Sequence, residues 1–180
     1  MPRDDGPSPQ PVILGFLMAG PAHPYGLYRE FDRELGRVWR IGQASLYARM
    51  KRAEEEGLAT VEVAETEGAP DRRVHRITAA GKERFLAWMG GPSERVRDIR
   101  LEFLSRLYFF RRLGLDGLED AVSLQKSALA SRIAALESGI AGAARSRDEY
   151  WRLVLEFRRS EAKAVVAWLD VCIATNGRKV

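Results

Sequence analysis

The 180-residue sequence predicts a mainly α protein in two parts: three short helices, a two-stranded hairpin and a fourth helix, followed by a wholly helical second half. Three observations carry this. Apolar residues recur at helical spacing through three segments that end near residue 58. The period then changes to two around Val61–Val63 and again around His75–Ile77. Beyond Gly90-Gly91-Pro92 the helical period returns and persists.

Residues 1–11 are polar and proline-containing, and a flexible tail is expected there. Residues 12–20 (VILGFLMAG) are apolar and end at Gly20-Pro21, which suits a short buried helix. Pro24 fits a first helical turn, and Tyr25, Leu27, Tyr28, Phe31 and Leu35 mark a second helix that stops at Gly36. Leu46, Met50 and Ala53 share one stripe of a third helix capped by Gly57-Leu58. Val61 and Val63 alternate with Thr60, Glu62 and Ala64, and His75 and Ile77 with Val74 and Arg76. The turn formers Glu67-Gly68-Ala69-Pro70-Asp71 lie between, so a hairpin with a flexible tip is expected. Thr78 is the expected N-cap of a fourth helix over Ala79–Met89, with Phe85, Trp88 and Met89 facing one way. The first domain is therefore drawn at residues 12–90.

Residues 91–180 are expected to form a helical, coiled-coil-like dimerisation domain. Ile99, Phe103, Leu104, Leu107 and Tyr108 share a face before Gly114. Val122, Leu129, Leu136 and Ala143 then recur every seven residues, with Ile133 and Ile140 between them and Lys126 interrupting the seam. Tyr150, Val154, Phe157, Val165, Trp168, Leu169 and Cys172 give the last helix a wide apolar stripe, more than a lone helical hairpin needs. The expected contacts with a second copy are Leu129, Ile133, Leu136, Ile140, Phe157, Val165, Trp168 and Leu169. The alternative is that these stripes pack on one another within one chain.

Composition narrows the function. One cysteine and two histidines, His23 and His75, supply neither an intramolecular disulfide nor a metal-ligand cluster. No metal or cofactor is expected. No apolar run is long enough to span a membrane, so a cytoplasmic protein is expected. Gly90-Gly91-Pro92 reads as a linker rather than a phosphate cradle, and no nucleophile with a base is legible, so an enzyme is not expected.

The formal charge of +4 decides little, because 29 basic and 25 acidic residues nearly cancel. Distribution says more: Arg37 to Arg52 holds five basic residues and no acid, whereas Ala53 to Glu67 holds six glutamates and no base. A second basic knot follows at Arg72-Arg73-Val74-His75-Arg76.

Three helices followed by a hairpin is the order of a winged helix-turn-helix, whose third helix enters the DNA major groove. With Leu46, Met50 and Ala53 inward, a rotation of about 100° per residue turns Ala44, Tyr47, Ala48 and Lys51 outward and puts Gln43, Ser45 and Arg52 on the flanks. That face carries no carboxylate before Glu55. Ala44 and Ala48 allow deep insertion, and Gln43, Ser45 and Tyr47 are candidates for base or phosphate hydrogen bonds. Lys51 and Arg52 suit phosphate, as do Arg72 and Arg73 in the wing, while Arg76 is equally suited to pairing with a glutamate of its own domain.

Pro24-Tyr25-Gly26-Leu27, the run from Ser45 to Leu58 (SLYARMKRAEEEGL) and the run from Arg73 to Gly81 (RVHRITAAG) together resemble the PadR family of bacterial transcriptional regulators. The resemblance covers residues 12–90, and the remainder is similar to that family's longer helical C-terminal region. It implies a homodimer that reads a near-palindromic double-stranded operator, with repression the expected sign and a small aromatic molecule as a candidate effector. The chain departs from the pattern at Ala48, where proline is frequent, at Ala53, where leucine is usual, and at His75, where tyrosine is usual. A buried, satisfied histidine is the expectation at 75. Trp39, Trp88 and Trp151, with Trp168, are candidates for lining an effector cavity. The competing reading is a winged-helix adaptor that binds another protein and lacks sequence-specific DNA binding.

Overall fold

Helix α1 (Gln10–Ala19) is apolar nearly all round, and Val12, Ile13, Leu14, Gly15, Phe16 and Leu17 are all buried. A helix without a polar face belongs inside a core. In this computed structural model, which describes residues 6–64 and 72–176, α1 packs on α2 (Pro24–Leu35), α3 (Gln43–Glu55), β2 (Arg72–Ile77) and α4 (Ala79–Gly90). The helix starts at Gln10, two residues before the expected boundary, with Pro9 buried ahead of it. Phe16 meets Phe31 of α2 at 5.7 Å between centroids and Phe109 at 5.4 Å. Phe109 in turn meets Phe85 of α4 edge-on at 5.4 Å. Gly15 is where these rings converge: a Cβ there would lie 2.5 Å from the Phe109 ring and 2.7 Å from Phe85.

The wing is the antiparallel pair β1 (Ala59–Ala64) and β2, with Ala59 opposite Ile77 and Ala64 opposite Arg72. The expected flexible tip, Glu67–Asp71, lies outside the described residues. The register sets Val61 across from His75, and a single bridge ties His75 to Ala22 through N–H to O bonds of 2.9 and 3.0 Å. Thr78 caps α4 as expected: its Oγ1 accepts the Gly81 N–H at 3.1 Å and donates to the Gly57 carbonyl at 2.7 Å. Gly81 is held tightly, since a Cβ would stand 2.1 Å from the Leu58 carbonyl oxygen. Alanine would gain about 1 kcal/mol in helix propensity. Displacing a backbone carbonyl outweighs that gain, so Gly81→Ala is expected to destabilise the fold by about 2 kcal/mol. A thermal melt showing an unchanged or raised Tm would refute the close packing.

The described residues divide into two compact units, those within Met1–Gly90 with Arg100–Asp116, and those within Gly91–Ile99 with Gly117–Val180. The division thus differs from a single break after residue 90. Most of α5 (Val96–Leu113) belongs with the first unit, held by the Phe109 contacts and by the Arg112–Glu30 ion pair. The buried face of α5 matches the expected one in part: Ile99 and Phe103 are buried as expected, Ser105, Arg106, Phe109 and Phe110 are buried as well, and Leu104, Leu107 and Tyr108 are half-buried. A charged residue conceals that stripe in the sequence. Arg106 is only 3% exposed, stacks at 4.9 Å over the Trp88 ring and has Glu102 at 3.6 Å. Desolvation pulls its pKa below the ordinary arginine value.

In the second unit α6 (Leu118–Ser146) and α7 (Glu149–Asn176) form an antiparallel hairpin. Arg147 takes a left-handed conformation at φ 57°, and Asp148 Oδ1 caps α7 by accepting the Trp151 N–H at 2.9 Å. Val122, Leu129, Leu136 and Ala143 are buried as their period requires, as are Leu155, Ala162, Leu169 and Cys172 of α7. Ion pairs Lys126–Asp170 at 2.6 Å and Glu137–Lys163 at 3.4 Å flank the antiparallel register. Three of the expected dimer contacts are covered within the chain itself. Leu129, Leu136 and Leu169 are already buried within the single chain, because the turn at 147–148 folds one heptad stripe onto the other. Ile133, Ile140, Val165 and Trp168 are half-buried, and Phe157 remains 65% exposed. The seam is interrupted by Gln125 rather than Lys126: its buried amide accepts the Ser93 N–H at 2.7 Å and donates to the Ser93 carbonyl at 3.2 Å. No helix among the described residues is long and apolar enough to cross a membrane.

Candidate nucleic-acid interface

Helix α3 starts after Gly42, whose extended backbone breaks from the preceding loop, and buries Leu46, Met50 and Ala53. It ends where Gly57 adopts φ 70° and the Leu58 N–H reaches the Ala53 carbonyl at 2.8 Å. The opposite side is open. Gln43, Ala44, Ser45, Ala48, Lys51 and Arg52 are exposed, and Tyr47 and Arg49 are half-buried. No carboxylate interrupts this face from Gln43 to Arg52.

Tyr47 is less outward than simple rotation implies. Its hydroxyl accepts a hydrogen bond from Gln43 Nε2 at 3.0 Å. Its ring lines a groove of about 500 Å³ with Pro24, Met50, Lys51, Glu54, Glu55, Arg73 and His75. The groove runs between α3 and β2, so an aromatic there meets both. Arg49 leans back instead, donating from Nη1 to Ser8 Oγ at 3.3 Å.

Among the described residues, the exposed cations Lys51, Arg52 and Arg73 each have a glutamate partner. Lys51 Nζ lies 3.6 Å from Glu55, Arg52 Nε 2.7 Å from Glu56, and Arg73 3.5 Å from Glu54. The Arg52 contact, with a second hydrogen bond from Gln10, holds the Glu56 carboxyl below the usual carboxylate range. Arg76 pairs across the hairpin with Glu62 at 3.1 Å. The backbone of Arg72 belongs to β2, and its side chain lies outside the described residues. The spacings Lys51–Glu55 and Arg52–Glu56 are i,i+4 and were available as a sequence signal. The Arg73–Glu54 pair joins two elements and has no local signature.

His75 is buried as expected, at 5% exposure, but it is not fully satisfied: Nδ1 has no hydrogen-bond partner among the described residues. Burial lowers its pKa from the ordinary 6.5; Glu54 opposes the shift, and Arg73 and His23 add to it. A folded-state pKa below the unfolded value makes the unfolded chain the better proton binder in acid. Stability is therefore expected to be intact above about pH 6.5 and to fall as the pH drops below it, a loss that His75→Phe should flatten. Parallel pH–Tm curves for the two proteins would contradict this.

The candidate effector residues are dispersed. Trp39 is buried, Trp88 packs on Phe85 and Arg106, and Trp151 is 44% exposed on α7 beneath Arg158. Neither that groove nor a second cleft of about 540 Å³, walled by Leu35, Val38, Leu104, Leu107 and Tyr108 with Arg111 and Arg112, is lined by these three tryptophans.

Residues 13–87 match the family model of the transcriptional regulator PadR-like family, and residues 99–175 match the virulence activator alpha C-terminal model. A probable transcriptional regulator of Mycobacterium tuberculosis is 26% identical over 89 residues, 49% of this chain. The chain spans about half the length of that curated relative, 47%. The structure is similar to Bacillus subtilis PadR in complex with operator DNA, at 22% identity and TM-score 0.47, over 92% of this chain and 97% of that one. It is also similar to Bacillus subtilis PadR in complex with p-coumaric acid, at 24% identity and TM-score 0.40, over 95% and 96% of the two chains.

Proposed function

We propose that the chain, whose residues 13–87 match the model of the transcriptional regulator PadR-like family, is a cytoplasmic, homodimeric, sequence-specific DNA-binding repressor. The observation that carries the reading is the open side of α3, where six exposed residues from Gln43 to Arg52 include no acid. Ala44 and Ala48 let the helix sit deep in a major groove. Gln43, Ser45 and Tyr47 then meet base edges or phosphates, and Lys51, Arg52, Arg72 and Arg73 meet the backbone.

A second copy is supported by α7. Tyr150, Phe157, Ala164 and Val171 recur every seven residues, and all four are exposed. Phe157 stands about 160° around the helix from Leu155 of the intrachain seam, by helical geometry. An apolar stripe turned away from α6 fits a coiled-coil-like contact with its own copy, which sets two reading heads on a near-palindromic operator. Release by a small aromatic acid belongs to the same reading. The cleft between α2 and α5 supports it, with apolar walls, Arg111, and Arg112 paired to Glu30, although Glu34 also lines it, and Trp39, Trp88 and Trp151 remain the alternative contacts.

The test is affinity for duplex DNA across a salt series. Binding should weaken steeply with salt. Lys51→Ala should reduce the log–log slope by about 1, and Tyr47→Ala should weaken selected-duplex binding about tenfold, both without loss of fold. Salt-insensitive or absent binding would favour the adaptor reading. A panel of aromatic acids that leaves duplex affinity unchanged would remove the effector.

A further inference from the structure

We propose that Glu54, Glu55 and Glu56 are counter-ions that hold down the protein's sequence-independent affinity for DNA, each acting through the one cation it pairs with; this rests on the DNA-binding reading of α3 and the wing. The three glutamates are consecutive, yet they diverge to three different partners: Glu54 to Arg73 of β2, Glu55 to Lys51, and Glu56 to Arg52. Consecutive residues on a helix point about 100° apart, which allows one run to serve a wing residue and two helix residues at once. Glu56 is itself anchored, because Gln10 Nε2 donates to it at 2.8 Å.

These pairs occupy the groups that phosphate needs. All three cations are well exposed, at 77% for the Lys51 side chain, 66% for Arg52 and 63% for Arg73. A phosphate arriving at any of them either displaces the carboxylate or binds beside it, and in both cases the neighbouring negative charge weakens the contact. Non-specific association is almost entirely electrostatic and bears this cost in full. Exposed pairs are individually weak, about 0.2–1 kcal/mol, so each glutamate lowers affinity by about 1.4- to 5-fold. Weak pairs suit the purpose, because they restrain the cations without blocking them. Gln43, Ser45 and Tyr47 lie outside these three pairs.

The experiment measures affinity of the full chain for a random-sequence 30-base-pair duplex at low salt, by fluorescence anisotropy. Glu55→Gln and Glu54→Gln should each tighten binding by about 1.4- to 5-fold. Glu161→Gln, an exposed change of the same charge on α7, controls for net charge. In a Lys51→Ala background the Glu55→Gln gain should fall to that of the control, and Arg73→Ala should do the same to Glu54→Gln. Equal gains with and without the cation, or no gain beyond Glu161→Gln, would overturn the proposal while leaving DNA binding intact. A wild-type chain that ignores the random duplex, or binds it without salt dependence, would overturn both.

Discussion

Glutamate at position 48 is expected to abolish duplex binding, with a loss of about a hundredfold or more. Ala48 is exposed on the open side of α3, one turn from Ala44 and Lys51 and opposite the buried Leu46, Met50 and Ala53. Glutamate is a good helix former and this position buries nothing of the chain, so the fold should persist within about 0.5 kcal/mol. Against DNA the same carboxylate meets base edges and phosphates at close range, where like charge costs several kcal/mol. Anisotropy for binding and circular dichroism for folding separate the two effects. Wild-type affinity in Ala48→Glu would mean that this face does not meet DNA.

The second large effect is expected from Phe157→Glu, which should turn a dimer into a monomer at micromolar concentration. Phe157 is 65% exposed in the single chain, so removing it sacrifices little of the hairpin's own packing. In a two-fold dimer the change appears twice, and burying a phenylalanine side chain contributes about 1.5–3 kcal/mol each time. Sedimentation should report the mass of one chain, with the helical circular dichroism retained, a lower melting temperature that no longer depends on concentration, and duplex affinity lowered through loss of the second head. Leu155→Glu should instead disrupt folding, because Leu155 is only 7% exposed in the intrachain seam. A Phe157→Glu chain that sediments as wild type would place the self-contact elsewhere.

Helix α3 was legible because its signals are local. Leu46, Met50 and Ala53 set the buried stripe, Gly57 sets the end, and the exposed face follows by rotation. The hairpin and the Thr78 cap were legible for the same reason, as a change of period followed by a hydroxyl residue three positions before Gly81. What escaped was non-local. Period shows that Leu129, Leu136 and Leu169 are buried but not which chain buries them. The α5 stripe is concealed because Arg106 lies in it, a buried cation accommodated by the Trp88 ring and by Glu102 one turn away. The Ala22–His75 bridge involves one residue on each side and so leaves no periodic trace. The Glu54–Arg73 pair depends on how the wing returns to α3, which spacing along the chain does not encode.

The groove-facing role of α3 is tested most directly by backbone-amide shift mapping, with isotope-labelled protein titrated by a duplex selected from a random pool. The largest perturbations should fall on Gln43–Arg52 and Arg73, with Leu129 and Leu136 in the hairpin seam nearly still. Binding that leaves the α3 amides unmoved and shifts another surface would contradict the account.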